Sequence, residues 1–144
     1  MKKENGFTLI ELLVVIAIIG LLTTMCLVAI AHYRDEAKDS RIETALSQTR
    51  STAALVYNED SSYGGICTGV PLDTIDEANN ALKTIKEEVK KFSGTDPVCH
   101  SSTLDYCVQS PLLNGGYYCV DSSGVAAQIP DSYCSGTNIK CTPL

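Results

Sequence analysis

Residues 1–31 read MKKENGFTLIELLVVIAIIGLLTTMCLVAIA. Lys2 and Lys3 precede Gly6, and an apolar run of 25 residues follows from Phe7 to Ala31, with Glu11 as its only charge. A helix needs about 20 apolar residues to span the hydrocarbon core of a bilayer. The core of a secretory signal is shorter, about 7–15 residues, and its cleavage site lies beyond it. Here the residue suited to processing, Gly6, stands in front of the run. Cleavage between Gly6 and Phe7 therefore leaves the apolar helix on the chain. The basic leader places the N-terminus on the cytoplasmic side. Arg34 and Lys38 lie beyond the other end, diluted by Asp35, Glu36 and Asp39.

The helix is expected to run on. His32 to Asn58 contains neither Pro nor Gly, and Ile42, Ala45, Leu46, Thr49, Ala53 and Val56 recur at helical spacing. Asp39, Glu43, Ser47 and Arg50 are expected on the opposite, solvated face. One helix over 7–58, at about 1.5 Å rise per residue, is roughly 78 Å long. The alternative is two helices with a break near His32. The chain thus divides into a leader, 1–6, a membrane-spanning segment, 7–31, an amphipathic continuation, 32–58, and a globular head, 59–144.

The head opens with a turn-rich loop over 59–72, containing Ser61-Ser62-Tyr63-Gly64-Gly65 and Pro71. A second helix is expected from a cap at Asp73 or Thr74 to about Phe92, with Ile75, Ala78, Leu82, Ile85, Val89 and Phe92 as its apolar stripe. Ser93-Gly94 ends it. Strands are expected at 104–110, 116–122 and 125–129, where apolar and polar residues alternate. Placing Cys107 opposite Cys119 closes the first hairpin with a loop at 111–115, a common length. That register turns Tyr106, Val108, Tyr118 and Val120 toward the long helix. It turns Asp105, Gln109, Tyr117 and Asp121 toward solvent. The fold class is α+β, a long N-terminal helix against a small antiparallel sheet.

Seven cysteines are present. Cys26 lies in the apolar run, and six lie in the last 78 residues. An even number in a small translocated head reads as three disulfides. The register pairs Cys107 with Cys119, proximity pairs Cys134 with Cys141, and Cys67 with Cys99 remains. Six cysteines allow 15 connectivities, so the pairing stays open.

Lys2-Lys3-x-x-Gly6 followed by Phe7-Thr8-Leu9-Ile10-Glu11 resembles the class III signal of type IV pilins and pseudopilins. The resemblance covers about a fifth of the chain. It implies that a membrane prepilin peptidase cuts after Gly6 and N-methylates Phe7. It implies that Glu11 pairs with the Phe7 terminus of a neighbouring copy, so that copies polymerise through the helix into a pilus (fimbria). The partners implied are other copies of the chain, the processing peptidase, a membrane assembly machine and, before assembly, the lipid bilayer. The implied location is a single pass through the inner membrane with the head outside, then the extracellular pilus. A pseudopilin of a type II secretion system carries the same signal. A membrane-tethered binding module that never polymerises is a third reading. Gly20 matches a position where the family often unwinds its stem, but Val28 stands where the family has Pro.

The remaining chemistry is sparse, and no enzymatic role or cofactor is expected. With residues 1–6 removed, nine basic and 16 acidic side chains remain, a balance of −7. Such a head does not bind nucleic acid non-specifically, since phosphate contacts need Lys and Arg. The histidines are His32 and His100. Cys99-His100 with Cys107 lacks the close ligand pairs of a structural zinc site, so disulfides are preferred to metal. Asp121 and Asp131 lack the carboxylate density of a calcium site. Tyr57, Tyr63, Tyr117, Tyr118 and Tyr133 read as packing residues, with surface contacts as the second reading.

Overall fold

The computed structural model describes residues 7–67 and 76–142, with the side chains of 26–29, 31, 32 and 76–79 outside the description. The expected cap at Asp73 or Thr74, the position of Ile75 and the side chain of Ala78 lie outside the described residues. So do residues 1–6. The chain forms two compact units, Met1–Asp35 and Glu36–Leu144.

The first helix, α1, runs unbroken over Leu9–Asp60, 52 residues. The helix is continuous as expected, and the alternative of a break near His32 does not occur, which follows from the absence of Pro and Gly there. Within the second unit α1 is followed by α2, Asp76–Ser93. Four strands come next: β1, Val98–Ser101, β2, Tyr106–Pro111, β3, Tyr117–Asp121, and β4, Ala126–Ile129. They form one antiparallel meander in the order β1-β2-β3-β4. The first of these strands was not expected, because Val98-Cys99-His100-Ser101 is short and lacks clean alternation. Gly94 ends α2 in the left-handed region at φ 79°, and its N–H donates to the Lys90 carbonyl at 2.9 Å. Just beyond, Asp96 pairs with Lys90 at 3.1 Å and Lys86 at 3.7 Å. The hydrogen bond from Lys90 holds the Asp96 carboxyl below its usual range.

The β2–β3 register differs from the expected one by two residues. Cys107 faces Asp121 and Gln109 faces Cys119, so the two cysteines are diagonal neighbours and not opposite. Glycine decides this. Gly115 and Gly116 both take positive φ, 101° and 73°, and both lie in the turn. A Cβ on Gly116 would stand 2.8 Å from the Ile129 carbonyl oxygen, so only glycine fits. A slip of two residues keeps every side chain on its own face. The face turned to the helices is therefore as expected. Tyr106, Val108 and Val120 are buried with Ile42, Leu46 and Val56 of α1 and with Ile85 and Val89 of α2.

The other face is not the solvated one expected. Gln109 and Asp121 are 0% and 1% exposed, and Cys107 and Cys119 are buried with them. The chain after β4 folds over this face and forms a second cluster in which Cys134, Cys141 and Ile139 meet Cys107 and Cys119. This segment has no ladder, so its buried N–H groups need other acceptors. Gln109 Oε1 accepts from the N–H of Tyr133 at 3.2 Å and of Cys134 at 3.1 Å. Asp121 Oδ2 accepts from Cys141 N–H at 2.8 Å. The Gln109 amide also donates to the Ser132 hydroxyl.

The disulfides follow this layering. Cys67 bonds Cys99. Cys107 bonds Cys134 and Cys119 bonds Cys141, which replaces the expected Cys107–Cys119 and Cys134–Cys141 pairs. The tail is not pinned into its own small loop. It is cross-linked once to β2 and once to β3, because the diagonal placement of Cys107 and Cys119 leaves each sulfur facing the tail.

Asp39, Glu43 and Ser47 also leave their expected place on a solvated face. Asp39 is buried, and its carboxylate accepts from Leu113 N–H at 2.7 Å, Asn114 N–H at 3.0 Å and Asn114 Nδ2 at 3.0 Å. It thereby holds the β2–β3 turn against α1. Glu43 accepts from Gln128 Nε2 at 2.6 Å, and the Ser47 and Tyr118 hydroxyls lie 3.0 Å apart. The stripe of α1 that meets the sheet is thus wider than its apolar residues alone.

Candidate functional site

In the first unit α1 begins at Leu9, and Thr8 is its N-cap. Thr8-Leu9-Ile10-Glu11 is a capping box, in which Thr8 and Glu11 satisfy each other's backbone donors. Glu11 Oε2 accepts from Thr8 N–H at 2.9 Å and from the Thr8 hydroxyl at 2.7 Å. Thr8 Oγ1 accepts from Glu11 N–H at 3.4 Å. The carboxylate therefore sits over the positive end of the helix dipole, a favourable place for an anion. The sequence signal for this, Thr followed by Glu three residues later, was present but overshadowed by the spacing of Phe7 and Glu11.

Around this terminus the apolar residues are uncovered among the described residues of the first unit. Phe7, Leu9 and Ile10 are 82%, 80% and 70% exposed. Leu12, Leu13, Val14 and Val15, four successive residues that point around the axis, are exposed too, so this part of the helix is apolar on all sides. Continuous apolar surface of this extent marks a contact with lipid or with other protein. Thr23 and Thr24 bond back to the carbonyls of Ile19 and Leu21 at 2.7 and 2.8 Å, and the helix continues through them. Among the described residues no helix is long and apolar enough to cross a membrane. The described side chains of the apolar run are continuous only to Met25, while the sequence carries the run to Ala31.

Of the expected processing and assembly residues, Glu11 lies in the first turn of α1, Phe7 precedes the Thr8 cap, and Gly6 is outside the described residues. The expected cysteines are all paired within the second unit and contribute to its stability, far along the chain from this terminus. With Cys99 and Cys107 in disulfides, neither supplies a thiolate to His100. Among the described residues no group of three or more His, Cys, Asp or Glu side chains is placed to hold a metal. Tyr57 stacks on Tyr63 at 4.6 Å, and Tyr63 meets Tyr106 edge-on at 5.0 Å, so these rings pack between α1, the loop after it and β2.

A single helix with an uncovered apolar surface, capped by an acid and followed by a disulfide-bonded α+β unit, defines a pilin-like fold. Residues 1–31 match the family described as "Prokaryotic N-terminal methylation motif". The chain is 41% identical over 70 residues to the type IV major alpha-pilin of Moraxella bovis, 43% of this chain and 44% of that protein. It is 39% identical over 66 residues to fimbrial protein Q of Moraxella bovis, 44% of this chain and 42% of that protein. It is 37% identical over 71 residues to fimbrial protein EcpB of Eikenella corrodens, 49% of this chain and 42% of that protein. The chain spans less than half the length of these curated relatives. No solved structure matches it. Over part of its length the chain is therefore similar to type IV pilin and fimbrial proteins.

Proposed function

We propose that this protein is a structural subunit of a type IV pilus-like filament and not an enzyme. It is made with residues 1–6 as a leader, held in the inner membrane by residues 7–31 with its head outside, cut after Gly6 and N-methylated on Phe7. It then polymerises, with Glu11 paired to the Phe7 amine of a neighbouring copy. Residues 32–58 continue the stem, and 59–144 form the head. Its partners are copies of itself, the peptidase that processes it, the membrane assembly machinery and the bilayer that holds it beforehand.

The observation that carries this reading is the all-round apolar helix over the described part of 7–25, closed by Glu11 at its first turn. Apolar area removed from water stabilises by about 25 cal/mol per Å². This surface finds no cover among the described residues of its own unit, so the gain is available to lipid and then to neighbouring helices. A repeated contact of this kind that does not close on itself builds a fibre. A carboxylate carried into such an environment requires a partner, because a lone buried charge is strongly unfavourable. The methylated amine created by cleavage is a cation four residues before Glu11, just ahead of the helix. The motif match over residues 1–31 supports the processing step.

The test is mass spectrometry of the fibre fraction sheared from the surface of the native cell. The expected result is a chain beginning at methylated Phe7. A chain still carrying residues 1–6 sinks the reading. A processed chain confined to the membrane moves the assignment to a secretion pseudopilus.

A further inference from the structure

A groove of about 410 Å³ lies on the second unit, away from every residue assigned to assembly. One wall is α1 at Ser47, Arg50 and Ala54, and the other is the β3–β4 turn at Asp121, Ser122 and Gly124. Tyr63 and Tyr106 line it between them. Most polar groups here are already engaged. The Ser47 hydroxyl meets Tyr118, Ser51 donates to the Gln48 carbonyl at 2.9 Å, and Ser122 donates to Asp105 at 3.0 Å. The Asp121 carboxylate accepts from Ser123 N–H at 2.9 Å, Ser123 Oγ at 2.6 Å, Val125 N–H at 3.2 Å and Cys141 N–H at 2.8 Å.

Two donors are left over. Arg50 makes no ion pair or hydrogen bond among the described residues. Its guanidinium reaches toward the turn, 3.9 Å from where a Cβ on Gly124 would stand. Tyr106 is only 3% exposed, and its hydroxyl has no hydrogen-bond partner among the described residues. That hydroxyl is not sealed in: among the described residues, the fully enclosed side-chain polar atom without a partner is Thr49 Oγ1. The Tyr106 hydroxyl therefore opens on the groove that its side chain lines. Burial, and then the neighbouring Tyr63 phenol, push it up to about 12, against the opposing pull of Arg50. It remains a proton donor throughout the physiological range.

We infer that this groove is an anion-binding site that takes a carboxylate between the Arg50 guanidinium and the Tyr106 hydroxyl. A guanidinium presents a planar fork of donors that matches a carboxylate edge. The phenol supplies one further O–H to an acceptor-only ligand. Asp121 lines the same groove, so a singly charged carboxylate is the ligand proposed. The carboxylate has two possible sources, an exposed Asp or Glu of a second copy of this acidic chain or a free small organic acid. The inference uses none of residues 7–31 and stands or falls apart from the filament reading.

The experiment is an NMR titration of the full chain in detergent micelles with sodium acetate, against sodium chloride at equal ionic strength. The Arg50 Nε–H and Gly124 amide signals are expected to shift saturably with acetate and not with chloride. Losing one charge-assisted hydrogen bond weakens binding by about tenfold or more, so Arg50→Gln is expected to move saturation to at least about tenfold higher acetate. Tyr106→Phe keeps the buried ring and is expected to weaken the response while the amide spectrum stays folded. Shifts that never saturate, that chloride reproduces, or that survive Arg50→Gln at equal affinity overturn the inference. Dilution without acetate then assigns the source. Signals that move toward their acetate-bound positions as protein concentration rises mean a second copy, and signals that stay put mean a free acid.

Discussion

The two units of this chain solve the burial problem in opposite ways. In the first, a helix with no polar face leaves Phe7, Leu9 and Ile10 almost wholly exposed. In the second, the sheet is buried on both faces, by helices on one side and by the disulfide-bonded tail on the other. Polar residues are used differently too. Glu11 is bonded only to its own helix turn. Asp39, Gln109 and Asp121 each bind segments distant in sequence. The first unit is thus stabilised by what it will contact, and the second by what it already contains. Substitutions in the first should change assembly and spare folding, and those in the second should do the reverse.

The sharpest way to break this contrast is Glu11→Ala. It is expected to abolish filaments outright while the chain still inserts in the membrane and its head keeps the native melting temperature. Electron microscopy of cells, with membrane fractionation and thermal unfolding of the head, checks all three. Filaments at native abundance would place the burial of the first unit elsewhere.

The tail comes next. Peptide mapping without reduction should recover Cys107 with Cys134 and Cys119 with Cys141. The paired change Cys107→Ser with Cys134→Ser is expected to cost the head about 2–5 kcal/mol. Urea unfolding measures it, and an unchanged midpoint would mean that the tail is held by Gln109 and Asp121 alone.

Asp39→Ala leaves the turn amides of Leu113 and Asn114 without their acceptor. Buried donors left unsatisfied cost about 1–3 kcal/mol. Hydrogen exchange at those two amides should accelerate while β1 is unaffected. The smallest effect has the opposite sign. Thr49 is 1% exposed and its hydroxyl has no partner among the described residues. Thr49→Val keeps the shape and removes the buried hydroxyl, so it should stabilise the head by about 1 kcal/mol. A lower midpoint in thermal unfolding would mean that the hydroxyl has a partner in solution.

How far each unit was legible before folding follows from the same contrast. The first is a matter of neighbours in sequence. A run of apolar residues without Pro or Gly specifies a helix, and Thr8 and Glu11 meet because they are three residues apart. The α1 and α2 helices, three of the four strands and the face of Tyr106, Val108 and Val120 follow from periodicity, whereas Cys67–Cys99 occurs although both pairs that left it over are replaced. The β2–β3 register did not follow from the cysteines, because a two-residue slip leaves every face unchanged and only the turn glycines distinguish the alternatives.

By itself the sequence determined the helix, its apolar surface, the processing motif and the α+β class, since each rests on local pattern and spacing. Tertiary structure alone decided what lies over the second face of the sheet. Gln109 and Asp121 alternate like solvated strand residues, and nothing local announces that an irregular tail will cover them. Their burial arises because tail N–H groups without a ladder need acceptors, and because the sulfurs of Cys107 and Cys119 stand where Cys134 and Cys141 can reach them.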